Sequence, residues 1–229
     1  MIRTRGDGDV RVVTIDRPDR RNALRPRELT ALESAIDAAR EPVIYLRGAG
    51  DAFCAGADLD VVASLSDPAG FARHGQRVAS AIESADAVVV CGVDGAARGG
   101  GVELALAADV RVATPEATFG EPGVALGLFG AWGGTVRLPR VMREGDALDF
   151  ALSGRVLDAD AALRTGLVSR VVDDPRGVAD AIAAGDAAAL RTIKRRVRDR
   201  GAVRSQEAAE ADAFADLVRA RQERDDDDA

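Results

Sequence analysis

Two segments of this 229-residue chain place small residues, and then one carboxylate, where a reacting carbonyl could meet backbone N–H groups. The first, Phe53-Cys54-Ala55-Gly56-Ala57-Asp58, follows an apolar run at 43–47. The second, Arg98-Gly99-Gly100-Gly101-Val102-Glu103, follows another at 88–93. Small residues let a ligand approach the main chain closely, and two convergent N–H donors can hold the oxyanion that develops on a reacting carbonyl. Glu103 then stands three residues beyond Gly100, among Val102, Leu104, Ala105 and Leu106. A carboxylate in so apolar a stretch is either at a helix surface or buried for a purpose, and burial would raise its pKa toward the range useful for proton transfer. Each segment also has a plainer use. The run 55–58 fits a tight turn with Asp58 capping a helix that starts at Leu59, and the three glycines fit close helix–strand packing. A phosphate loop does not fit, because no Gly-Lys-Ser/Thr follows and the GxGxxG spacing is absent.

These loops need elements to hold them. The pattern predicts a strand at 10–15, a turn at 18–21, and a helix from Pro26 with Leu29, Leu32, Ile36 and Ala39 on one face. Strand 43–47 leads to the first loop. Asp67-Pro68 reads as an N-cap and first helical position, opening a helix with Phe71, Val78, Ile82 and Ala85 inward. Strand 88–93 leads to the second loop, whose glycines open a helix running to Ala107. Short strands follow at 110–113 and 117–119, then a helix between Asp158 as N-cap and Gly166, and a last strand at 167–172. The strand–loop–helix unit recurs around 43–65 and 88–108, which predicts a stacked, repeat-like α/β core rather than a doubly wound nucleotide fold. That core occupies 1–174. The region 175–229 reads as helices at 175–184, 186–199 and 204–222, striped by Leu190, Ile193 and Val197 and by Ala208, Ala211, Phe214 and Leu217. It is expected to pack on the core and on neighbouring subunits, and to end in a disordered acidic run, Asp225 to Asp228.

Composition narrows the setting. A hydrophobic content of 47% suffices for one sizeable core. No apolar run reaches the length of about 18 residues that marks a membrane span, and the N-terminal residues lack a secretory pattern. Cys54 and Cys91 are too few for a disulfide framework or a metal site, so the expectation is a cytoplasmic protein without membrane association or bound metal. Lys194 is the only lysine among 31 basic residues, which face 38 acidic ones. A salt-adapted surface and the codon bias of a GC-rich genome both fit that pattern. The net charge of −7 disfavours nucleic acid as a partner. The basic cluster at 191–200 reads as a solvated helix face or as a patch for a phosphorylated ligand. His74 reads as surface or packing, and Cys54 as a small buried hydrophobe.

Taken together, these residues resemble the crotonase, or enoyl-CoA hydratase/isomerase, superfamily. The resemblance runs in register through Arg17-Pro18 with Asn22-Ala23-Leu24, through 53–59, and through Gly99-Gly100-Gly101-Val102-Glu103-Leu104 and Asp109. It continues in Phe119-Gly120-Glu121-Pro122, Gly133-Gly134-Thr135, Arg137-Leu138-Pro139-Arg140 and Gly166-Leu167-Val168. It implies an α/β spiral of repeated ββα units with a C-terminal α-helical appendage, assembled as a homotrimer or homohexamer. It implies an acyl-CoA thioester as partner, with coenzyme A as part of the substrate and no other cofactor. The thioester oxygen would sit between the N–H groups of Ala57 and Gly100, and Glu103 would be an acid–base residue. Substrate contacts are implied at Ala23, Ala55, Asp58, Leu59 and Gly99, while Arg21 and Lys194 are candidates for the coenzyme A phosphates. Phe129 and Trp132 are candidates for shaping the acyl pocket, Trp132 equally for core packing.

The family's second glutamate directly follows the proline, and here that position is Gly123. Glu121 lies two residues earlier, where it either supports its loop or, with the loop shifted, takes the missing role. Enoyl-CoA hydration or isomerisation is therefore the nominal activity. A decarboxylase or thioester hydrolase using the same site, and a non-catalytic acyl-CoA-binding subunit, are the alternatives.

Overall fold

The computed structural model describes residues 1–227, with side chains as far as Arg224. It opens with a hairpin of β1 (Ile2–Asp7) and β2 (Val10–Ile15), a single 3-10 turn at Pro18–Arg20, and helix α1 (Pro26–Asp37). Three similar turns of chain follow. The first runs β3 (Val43–Gly48), β4 (Ala52–Cys54), α2 (Leu59–Val62) and α3 (Pro68–Ser84). The second runs β5 (Val88–Val93), β6 (Ala96–Arg98) and α4 (Gly100–Ala107). The third runs β7 (Val110–Ala113), β8 (Thr118–Gly120), a 3-10 helix at Pro122–Leu126, α5 (Gly134–Val141) and α6 (Glu144–Ser153). The core closes with β9 (Val156–Asp158), α7 (Ala159–Arg164) and β10 (Arg170–Val171). Three helices end the chain, α8 (Pro175–Ala183), α9 (Ala187–Arg198) and α10 (Val203–Asp227).

Each turn gives its long strand to one sheet and its short strand to another. The larger sheet has the order β1-β2-β3-β5-β7-β10 and the smaller β4-β6-β8-β9. Pairing is parallel from β2 to β10 and from β4 to β8, with antiparallel strands β1 and β9 at the ends. This is the expected spiral of ββα units. Strands β3 and β5 read as unbroken apolar runs because both faces of the sheet are covered. On one side lies the main core, including Leu29, Leu32, Val78, Ile82 and Leu104. On the other, Val43, Tyr45, Val88, Val90 and Val112 pack against Val178 and Ala179 of α8.

The structure corrects the sequence reading in four places. Strands β4 and β6 stand between the long strands and the two small-residue loops, so each loop leaves the smaller sheet. Strand β1, helices α5 and α6, and strand β9 were not anticipated. The inward face of α9 carries Lys194 together with Leu190, whereas Ile193 and Val197 of the expected stripe are 59% and 72% exposed. Helix α10 extends to Asp227, so the acidic run expected to be disordered is helical through that residue, while Asp228 lies outside the described residues. No helix among the described residues is long and apolar enough to cross a membrane.

Candidate active site

Three loops leave the carboxyl ends of the neighbouring parallel strands β4, β6 and β8, and they carry Ala57, Gly100 and Glu121 respectively. The ends of parallel strands are where α/β folds commonly seat ligands, because the chain turns there and backbone groups come free. In the first loop the N-terminal segment 21–24 binds the backbone tightly. Ala55 N–H donates to the Arg21 carbonyl at 2.9 Å, Leu24 N–H to the Gly56 carbonyl at 2.8 Å, and Asp58 N–H to the Leu24 carbonyl at 3.0 Å. Gly56 N–H donates to Cys54 Sγ at 3.3 Å. Ala57 N–H alone is left over in this run, with no acceptor among the described residues.

In the second loop Gly99 N–H donates to the Gly120 carbonyl at 2.9 Å, while Gly100 N–H, the first of helix α4, likewise meets no acceptor there. The two loops touch at Gly56, whose φ is +83° and where a Cβ would lie 2.7 Å from Gly100 N and from the Arg98 carbonyl oxygen. Only glycine combines that backbone conformation with that approach.

Helix α4 is buried along its whole length, and Glu103 is 1% exposed within it. Its Oε1 accepts from Trp132 N–H at 2.8 Å and from Gly134 N–H at 2.6 Å. Burial pushes the Glu103 carboxyl up to about 7, restrained by the N–H groups of Gly134 and Trp132 and by the charge of Arg137. Arg137 is itself held by Glu83 of α3, at 3.0 Å through Nε and 2.6 Å through Nη2. Glu121 is 6% exposed, and its Oε1 is buried without a hydrogen-bond partner. Burial first, and then the charge of Glu103, push it up to about 8.

Both carboxyls line a cavity of about 290 Å³ that also receives Ala57 and Gly100. Its remaining wall is largely apolar, with Leu59, Val62, Leu65, Phe71, Leu126, Leu128, Phe129 and Trp132. Trp132 packs edge-on against Phe71, with ring centroids 5.8 Å apart and an interplanar angle of 72°, and backs onto Gly100. Phe129 stands 69% exposed at the rim.

Of the residues singled out in the sequence, Glu103, Glu121, Ala55, Ala57, Leu59, Gly99, Gly100, Gly123, Phe129 and Trp132 all line this cavity. Four others do not. Asp58 is buried in an ion pair with Arg17 at 2.6 Å and caps α2 by accepting from Asp60 N–H at 3.2 Å. Its carboxylate is thus used in holding the loop. Ala23 is buried behind the same loop, with its carbonyl taken by Arg17 at 3.1 Å. Lys194 turns inward to Asp109 at 2.9 Å and to the Ala87 carbonyl at 2.8 Å, which leaves no ammonium free for a phosphate. Arg21 lies outside the cavity with its side chain exposed.

Sequence reasoning did not assign roles to Gly130 and Gly134, where a Cβ would stand within 2.9 Å of the Glu103 carboxyl group, or to Arg137. The spacing Gly130-Ala131-Trp132-Gly133-Gly134 was the available signal. Gly123 also proves to be a packing position: a Cβ there would lie 2.9 Å from the Leu128 carbonyl oxygen and 3.0 Å from Phe129 Cα. His74 sits off the cavity, with Nε2 3.3 Å from Thr30 Oγ1. No group of His, Cys, Asp or Glu among the described residues is arranged to hold a metal ion.

Comparison with known proteins identifies the family. Residues 5–226 match the family described as Enoyl-CoA hydratase/isomerase. Crotonyl-CoA hydratase of Syntrophomonas wolfei is 39% identical over 168 residues, a stretch that covers 70% of this chain and 65% of that relative. Short-chain-enoyl-CoA hydratase of Clostridium acetobutylicum is 37% identical over 174 residues, covering 73% of this chain and 67% of the relative. The crystal structure of an enoyl-CoA hydratase from Thermoplasma volcanium superposes with a TM-score of 0.88 at 30% identity, covering 95% of this chain and 92% of that one. The chain belongs to the enoyl-CoA hydratase/isomerase family.

Proposed function

We propose that this protein processes acyl-CoA thioesters, with hydration of a 2-enoyl-CoA as its nominal reaction. The observation that carries this reading is the pair of unengaged N–H groups, on Ala57 and Gly100, beside the buried carboxyl of Glu103 in one apolar cavity. A thioester oxygen between those N–H groups gains charge as the enolate forms, and fixed dipoles in a dry site stabilise it without reorganising. The start of helix α4 adds its own partial positive charge at Gly100. Burial raises the Glu103 carboxyl to about 7 and Trp132 and Gly134 orient it, which suits it to acid–base work beside the thioester. The apolar wall fits a neutral acyl chain. An acyl group bearing its own carboxylate would face two acids, which weighs against decarboxylation of a malonyl-type ester.

Gly123 favours one second reading, a thioester hydrolase, in which the same N–H pair is used and Glu103 directs water at the carbonyl carbon. Release of free coenzyme A separates the two reactions. A purely binding subunit is disfavoured by Glu103 itself, because a buried carboxyl costs stability that a binder has no reason to carry. Arg21, exposed beside the first loop, is the remaining candidate for the coenzyme A phosphates. Coenzyme A enters with the substrate and no further cofactor is invoked. We place the protein in the cytoplasm and take it to assemble as a homotrimer or homohexamer; exposed apolar residues such as Leu148, Leu152, Ile193, Val197 and Phe214 support association between copies.

Glu103→Gln tests the reading. Turnover of crotonyl-CoA is expected to fall about 10²–10⁴-fold while the ester still binds. Wild-type rates in that variant would remove Glu103 from the chemistry.

A further inference from the structure

We infer that Glu103 and Glu121 form a one-proton pair across the cavity, with Glu121 as the proton donor to the acyl Cα and Glu103 as the base that activates water. This rests on the enoyl-CoA reading above and deepens it. Four observations carry it. The two side chains line the same cavity as Ala57 and Gly100. Glu121 is 6% exposed, yet its Oε1 has no hydrogen-bond partner among the described residues, so a carboxyl is kept in an apolar wall without structural use. Its position is tied to the thioester loop, because the preceding Gly120 carbonyl accepts Gly99 N–H at 2.9 Å. Finally, position 123 cannot bring a second carboxyl into this conformation, since even a Cβ there would press on the backbone of Leu128 and Phe129.

Hydrogen bonding assigns the roles. Two N–H donors converge on Glu103 Oε1 and favour its charged form, whereas Glu121 has no such donor and is the member that keeps the proton. Charged groups bearing on the pair are Arg137 at Glu103, and Glu103 itself at Glu121. Burial holds both members above the ordinary carboxylate range, and at Glu121 the charge of Glu103 adds to it.

The step balances without a further reactant. Glu103 takes a proton from water as the oxygen bonds to Cβ, and the C2–C3 π electrons move toward the thioester oxygen. The Glu121 proton is then delivered to Cα, giving the 3-hydroxyacyl ester. The pair keeps one proton, now on Glu103, and it returns to Glu121 before the next cycle. In reverse, ionised Glu121 removes a proton from Cα, a step that requires no water.

That difference sets the test. Full-length wild type, Glu103→Gln and Glu121→Gln are assayed for hydration of crotonyl-CoA, and for exchange of the Cα protons of butyryl-CoA in D₂O. Glu121→Gln is expected to lose about 10²-fold or more in both assays. Glu103→Gln is expected to lose hydration comparably and to keep exchange within about tenfold of wild type. Hydration by Glu121→Gln within about threefold of wild type, or exchange that depends on Glu103 and not on Glu121, overturns the assignment. A wild-type protein that hydrates no enoyl-CoA and exchanges no Cα proton overturns the enoyl-CoA reading itself, and the pair with it.

A second measurement needs no variant: log kcat/KM for hydration against pH is expected to be bell-shaped, because only the singly protonated pair is active. A profile flat from pH 5 to 10, about two pH units to either side of the pair, contradicts it.

Discussion

At the scale of residues, function here conflicts with stability. Glu121 gains no hydrogen bond on folding yet loses nearly all its water, so its carboxyl moves from an ordinary 4.5 to about 8. Between those values the unfolded chain is ionised and the folded chain still holds the proton, so stability falls as pH rises across that window. Glu121→Gln removes the penalty. The variant is expected to melt at about the wild-type temperature near pH 4 and increasingly above it toward pH 8, by an amount on the order of a few kcal/mol. Parallel melting curves at every pH would mean that Glu121 is solvated in the folded protein. Asp58 shows the opposite economy: it is as buried as Glu121, but Arg17 and the Asp60 N–H use its charge, and its pKa is lowered, first by the Arg17 hydrogen bond.

At the scale of elements, the site is a product of repetition. Strands β4, β6 and β8 are three residues each, and their parallel pairing brings Ala57, Gly100 and Glu121 to one edge although they are far apart in sequence. Gly56 is the point where two of these turns touch. Gly56→Ala places a Cβ 2.7 Å from Gly100 N at a positive φ, so the loops must separate. Activity is expected to fall by at least about 10²-fold, while melting shows a loss of roughly 1–3 kcal/mol. Unchanged kinetics in a folded variant would show that the loop spacing is unimportant.

The small-residue loops and Glu103 were legible because sequence types alone expose backbone and carry charge. The short strands were not, since three residues show no alternation. Strand β1 was missed because it is an edge strand with little burial, and α5 because Pro139 and its leading glycines mask a helix. The stripe expected on α9 was misleading for a different reason. Lys194 and Arg198 both bind Asp109, at 2.9 Å and 2.8 Å, and this ionic anchor rotates Ile193 and Val197 outward.

At the scale of the whole molecule, the spiral explains why the fold was easier to read than the reaction. Each turn must bury a strand in the larger sheet, so apolar runs such as 43–46 and 88–91 announce it. The reaction depends instead on which carboxyl each turn points inward, and a difference of two residues between Glu121 and Gly123 decides that without changing the pattern of burial. Outside the core, α8 completes the cover of the larger sheet, while α9 and α10 leave Ile193, Val197 and Phe214 exposed.

All of these levels converge on one claim, that Ala57 and Gly100 polarise a thioester carbonyl. Isotope-edited infrared difference spectra of butyryl-CoA, labelled with ¹³C at the carbonyl, measure this directly. The carbonyl stretch is expected to move to lower frequency on binding, equally in wild type and in Glu103→Gln, and to shift less in Gly56→Ala. A bound ester whose carbonyl absorbs at its free-solution frequency in the wild-type protein would contradict the account.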